Sequence, residues 1–100
     1  MNAEIQLTRA IQARKVVELD YEGTGSRVVE PYVLYVRSEG RLLLGGFQRS
    51  GYSARGESEG WKTFAVERLS RITLLAESFQ PRPDYSPDNA ARYPRIIVRI

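Results

Sequence analysis

One hundred residues, 42% hydrophobic and 27% charged, are enough for one globular core that folds without staples. There is no cysteine and no histidine, which excludes disulfides, thiolate and imidazole metal sites, Cys nucleophiles and Ser-His-Asp triads. Fifteen basic residues stand against twelve acidic ones, a net charge of +3, and no apolar run is long enough to span a membrane. The first ten residues include Glu4 and lack the apolar centre of a signal peptide, so a cytoplasmic protein is expected.

Residues 3–14 are expected to form a helix. Ala3, Leu7, Ala10, Ile11 and Arg14 recur at three- and four-residue steps on one face. Asn2 suits the N-cap, and Glu4 sits near the positive end of the helix dipole. From Val16 the period changes to two. Val17, Leu19 and Tyr21 alternate with Glu18, Asp20 and Glu22, a strand with one apolar and one acidic face. Gly23-Thr24-Gly25-Ser26 turns the chain, and residues 27–37 resume extended structure with Pro31 marking an edge or a bulge.

After a turn at Glu39-Gly40, residues 41–48 read as a third strand. Gly45-Gly46 within it implies a bend or close backbone approach. Residues 50–60 are a loop whose Glu57 and Glu59 read as solvated carboxylates rather than an acid/base pair. Strands are expected at 61–66 and 71–76, with a short turn at 67–70 between them. Residues 80–94 hold four prolines and read as an irregular connector. The apolar end from Arg95 to Ile100 is β-prone and suits either the chain's own sheet or a neighbour's edge. One helix followed by five short strands with tight turns predicts a mainly β fold, a small five-stranded barrel. Its divisions are expected at 1–79 for the barrel, 80–94 for the connector and 95–100 for the terminal segment.

Thirteen of the fifteen basic residues are arginine. A guanidinium fork suits phosphates and flat rings, although codon usage in a GC-rich genome gives the same excess. Residues 27–76 hold eight basic and five acidic residues, a balance compatible with an anionic ligand.

The ordered set of segments resembles a WYL domain, a bacterial ligand-sensing module with an SH3-like or Sm-like barrel. Residues 11–21 look like that family's helix-to-strand start, and Arg27-Val-Val-Glu30-Pro31 resembles its R-x-x-E-P segment. Gly40-Arg41-Leu42-Leu43-Leu44-Gly45-Gly46-Phe47 occupies the place of the strand that names the family. Lys62-Thr63-Phe64-Ala65-Val66-Glu67-Arg68-Leu69 is similar to the R-x-F-x-L-x-R-I strand, and Ser78-Phe79 through Asp84-Tyr85 resembles the usual ending. Three residues depart from the pattern: the Trp-Tyr-Leu triplet reads Leu42-Leu43-Leu44, and Lys62 replaces the expected Arg. Most members carry a DNA-reading helix-turn-helix ahead of this domain. One helix is too little for that, so a stand-alone sensor in transcription regulation is expected.

The resemblance implies a negatively charged ligand, a single-stranded nucleic acid or a nucleotide, on a basic barrel face. Arg27, Lys62, Arg68 and Arg71 are the expected phosphate contacts, with Trp61 as an exposed stacking platform. Lys62 and Arg68 share the parity of Phe64 and Val66, which puts them at the two rims of one strand. The same cations also suit cross-strand pairing with Glu30, Glu67 and Glu18. Tyr32, Tyr35, Phe47 and Tyr52 are further candidates for stacking, while Phe64 and Phe79 are expected in the core. No catalytic residue, cofactor or metal ligand is expected, and no membrane partner. The alternative is a protein–protein or homodimerisation domain that uses Arg95 to Ile100 and has no ligand of its own.

Overall fold

A computed structural model of the chain describes residues 2–53, 56, 59–89 and 91–100. Glu57, in the loop read above as solvated, lies outside the described residues. The helix α1 runs Ala3–Ala13. Asn2 caps it as expected: its side-chain oxygen accepts from the Ile5 N–H at 2.9 Å. Leu7, Ala10 and Ile11 are buried, as the period requires. Arg14 does not extend the apolar face. It takes a left-handed conformation (φ 54°) and its N–H closes the last turn onto the carbonyls of Ala10 and Ile11.

The strands are β1 (Lys15–Tyr21), β2 (Ser26–Val36), β3 (Leu42–Gly51), β4 (Gly60–Ala65), β5 (Leu69–Ser78) and β6 (Ile96–Arg99). All pairings are antiparallel, in the order β4-β3-β2-β1-β5, with β6 added on β2. The fold is thus mainly β, a curled sheet with one N-terminal helix, and among the described residues it has one strand more than five. That strand is the C-terminal one, which pairs with its own chain. Val36 N–H donates to Arg95 O and Ile100 N–H to Tyr32 O, each at 2.9 Å.

β2 makes this possible by changing partners along its length. Its first half pairs with β1, from Asp20↔Ser26 to Val17↔Val29, and its second half with β6, from Tyr35↔Ile96 to Val33↔Arg99. The change falls at Pro31, which has no N–H to donate. The register against β3 also shifts between Pro31 and Val33, the bulge that proline implied. Gly46 sits opposite Pro31, and a Cβ there would meet Glu30 O at 2.7 Å, so the close approach needs glycine.

Both faces of β2 are covered. On the inner face Val29 and Leu34 join Val17, Leu19, Leu44 and Phe64 under α1. On the outer face Tyr32, Val33 and Tyr35 join Leu43, Phe79 and Tyr93. The chain after β5 supplies the last cover, crossing the sheet as an arm before returning as β6. Leu43, the middle residue of the triplet, is therefore packed beneath this arm and does not project into solvent.

Candidate functional site

The hairpin turn between β1 and β2 places Arg27 at the mouth of the curled sheet. Its side chain turns inward and is only 7% exposed. Three rings surround its guanidinium, with centroids at 5.2 Å (Tyr21), 5.5 Å (Tyr52) and 5.7 Å (Phe64). Its hydrogen-bond acceptors are neutral: Nη1 donates to Gln48 Oε1 at 3.4 Å and Nη2 to Thr24 Oγ1 at 3.1 Å. Nε is buried and donates to nothing. Among the described residues no carboxylate lies within ion-pair distance of Arg27. An unpaired buried cation costs several kcal/mol, about 3–5 when a partner is stripped from a buried pair. Aromatic faces recover part of that cost.

The walls of this nook are built by strand alternation. Phe64 and Lys62 share one face of β4, and Gln48 comes from the facing positions of β3. Gln48 is wholly buried and is oriented by its Nε2, which donates to Tyr52 O at 2.9 Å. Lys62 Nζ reaches Ser53 Oγ at 3.3 Å, on the same loop. Arg27 and Lys62 thus meet one loop from two strands.

The other expected contacts fall differently. Arg68 does not continue the parity of Phe64, because Val66–Arg68 winds into a 3-10 turn. It pairs with Glu22 at 2.7 Å, both side chains about half exposed, on the hairpin turn that also holds Thr24. Such a surface pair is worth under about 1 kcal/mol and yields readily. Arg71 takes a left-handed conformation (φ 53°) in β5 and stands in a shallow groove with Glu18, Asp20, Gly25 and Ser26. Trp61 points to the opposite face from Lys62. It packs edge-on against Tyr32 and Phe47, lies nearly parallel to Tyr85, and donates from Nε1 to Asp84 at 2.7 Å. It is half-buried, so the single tryptophan is part of the outer core rather than an open platform. Tyr32 and Tyr35 are buried in that core as well.

A second charged cluster forms beneath the arm. Glu30, 2% exposed, accepts Nε and Nη2 of Arg82 at 3.0 and 3.1 Å, Arg49 Nε at 2.8 Å and the Tyr32 hydroxyl at 3.0 Å. Burial by itself raises the Glu30 pKa. The hydrogen bonds from Arg82, Arg49 and Tyr32 outweigh it and hold the carboxyl below its ordinary value. Burial pushes the Tyr32 phenol up to about 12, and its bond to Glu30 adds to that. The Arg82 guanidinium lies 3.5 Å from the centroid of Phe47, and Arg49 also bonds Glu77. Every cation here has a carboxylate, so this cluster fastens the arm, whereas Arg27 has none among the described residues.

Two features of these sites were not read from the sequence. Gln48 alternates with Leu44 and Gly46 on the inner face of β3, and a polar residue at an inward position was the available signal. Glu30 belongs to the R-x-x-E-P segment, but its partners Arg49 and Arg82 are 19 and 52 residues away and nothing local announces them.

The WYL domain family model matches residues 5–74. Among solved structures the chain is similar to proteasome accessory factor B/C (PafBC) of Arthrobacter aurescens, at 25% sequence identity and a TM-score of 0.68. The match covers 86% of this chain and 13% of that one, so the chain spans about an eighth of its relative. No curated protein matches. The order of segments, the curled sheet behind one helix, and the family model over more than half of the length agree: the chain belongs to the WYL domain family of regulatory sensing modules.

Proposed function

We propose that this domain is a binding module that senses an anionic ligand, a short single-stranded nucleic acid or a nucleotide. Arg27 is its inner contact and Lys62 stands beside it. The observation that carries this reading is the buried guanidinium of Arg27, which among the described residues has neutral acceptors, no carboxylate and an idle Nε. Folding a cation into such a place is costly unless a ligand repays it. Arg68 and Arg71 flank the hairpin turn that holds Arg27 and supply outer contacts, Arg68 by giving up its exposed pair with Glu22. Tyr52 is the open ring at this mouth, 46% exposed, and takes the stacking role first read for Trp61. The role is binding rather than catalysis, and the occupied state is passed to a partner in transcription regulation.

Fluorescence anisotropy with short single-stranded DNA and RNA at two salt concentrations tests the reading. Binding should weaken as salt rises, because bound phosphates release counterions, and Lys62→Gln should reduce both affinity and salt slope. Salt-independent binding, or none, refutes it. One observation favours a second reading, protein–protein association through the last strand: Ile96 and Ile97 are 38% and 51% exposed, and among the described residues β6 is paired on one edge only. That reading predicts a dimer with no oligonucleotide affinity.

A further inference from the structure

Among the described residues, Arg27 is walled on most sides. Phe64 behind it is 1% exposed, and Gly51 faces it across the ladder so closely that a Cβ would lie 2.7 Å from Arg27 Cα. Gln48 and Thr24 occupy its two terminal nitrogens. The remaining wall is the half-exposed ring of Tyr52, and the unused donor, Nε, has essentially no solvent-accessible surface.

A group that reaches this donor must be narrow and must project from its parent molecule. The internal phosphodiester of a strand is flanked by sugars on both sides and offers two free oxygens and one charge. A terminal phosphate monoester hangs from one ester bond and offers three free oxygens and about −1.5 to −2 charges near neutral pH. The second can enter end-on past Tyr52, and its greater charge suits a cation that has no carboxylate partner among the described residues.

We propose that the Arg27 site takes a terminal phosphate monoester, the end group of a short single strand or of a mononucleotide, in preference to an internal phosphodiester. This rests on the anion-binding reading above. The base next to the end group lies against Tyr52, and strand beyond it meets Arg68 and Arg71 at the rim.

The test compares single strands of one sequence carrying a 5′-phosphate, a 3′-phosphate or neither, with a nucleoside monophosphate as competitor. One phosphorylated form should bind about ten-fold tighter or more than the bare strand. The monophosphate should compete if the nucleotide itself is the ligand and fail if a strand end is. Arg27→Gln should erase the ten-fold preference, so that phosphorylated and bare strands bind equally. Should that variant fail to fold, Tyr52→Ala decides: widening the mouth should raise affinity for the bare strand and narrow the ratio. Equal binding of phosphorylated and bare strands that fades with salt overturns the end-group inference and leaves the anion reading standing. A preference unchanged in Arg27→Gln or in Tyr52→Ala also overturns it, and no binding of any strand or monophosphate removes both.

Discussion

Glu30 in β2 and Arg82 in the arm meet through two hydrogen bonds, 3.0 and 3.1 Å long, across 52 residues of sequence. The pair is the main polar tie between the sheet and the segment that covers it. Its carboxylate is nearly inaccessible to water, so losing it leaves Arg82 with no carboxylate partner among the described residues, while Arg49 keeps Glu77. Arg82 and Arg49 are about a third exposed, so water screens what is left, and Glu30→Ala should lower unfolding stability by about 1–3 kcal/mol, measured as a shift in the urea midpoint. A loss under about 1 kcal/mol would mean the arm is held by its aromatic contacts and its other hydrogen bonds, Trp61 Nε1 to Asp84 and Arg82 N–H to the Tyr32 hydroxyl.

The same carboxylate sets the acid limb of stability. Its folded pKa lies below the unfolded value near 4.5, so its contribution is complete above that pH and is lost as pH falls through the folded value. Tyr32 and Tyr85 act at the other end. Burial raises both to about 12, so their contribution is complete below pH 10 and is lost between 10 and about 12. Urea midpoints plotted against pH should fall at both limbs, and Glu30→Gln should flatten the acid limb and lessen the Tyr32 share of the alkaline one.

Gly46→Ala places a Cβ 2.7 Å from Glu30 O and 2.9 Å from Val29 Cγ1. The first neighbour is backbone in a strand bonded on both sides, and it cannot step aside cheaply. A cost of about 1–3 kcal/mol is expected, read by thermal melting. A wild-type melting temperature would show that β3 shifts freely at the Pro31 bulge.

Removing residues 95–100 strips β6 from β2. The melting temperature should drop and the truncated protein should self-associate on size exclusion, because the second half of β2 then has a bare apolar edge. Trp61 gives a local readout of the arm. Tyr85→Ala removes the ring lying nearly parallel to it, so tryptophan emission should shift to longer wavelength while far-ultraviolet circular dichroism stays unchanged.

Local chemistry made much of the fold legible. Asn2, the spacing of Leu7, Ala10 and Ile11, the alternation in β1, the Pro31 bulge and the close approach at Gly46 each follow from neighbours in sequence. Distant chain decided the rest. Tyr32, Tyr35 and Trp61 look like surface rings until the arm brings Phe79, Tyr85 and Tyr93 over them. The uninterrupted apolar run Val33-Leu34-Tyr35-Val36 was the one local hint of a strand covered on both faces. Of the expected anion contacts, Arg27 and Lys62 share a loop because strand parity holds along β4. Arg68 leaves that row because a 3-10 turn breaks the parity two residues earlier.

The exchange of partners along β2 also shapes how the polypeptide must be made. Its second half is synthesised some sixty residues before the strand that shields it, the separation between Tyr35 and Ile96 in the ladder. Throughout that interval a nascent chain on the ribosome carries Tyr32 to Val36, its most adhesive stretch, with one side uncovered. The interval ends only once residues 96–99 have left the ribosome, so slow translation between β2 and β6 prolongs the exposure of this apolar edge to aggregation.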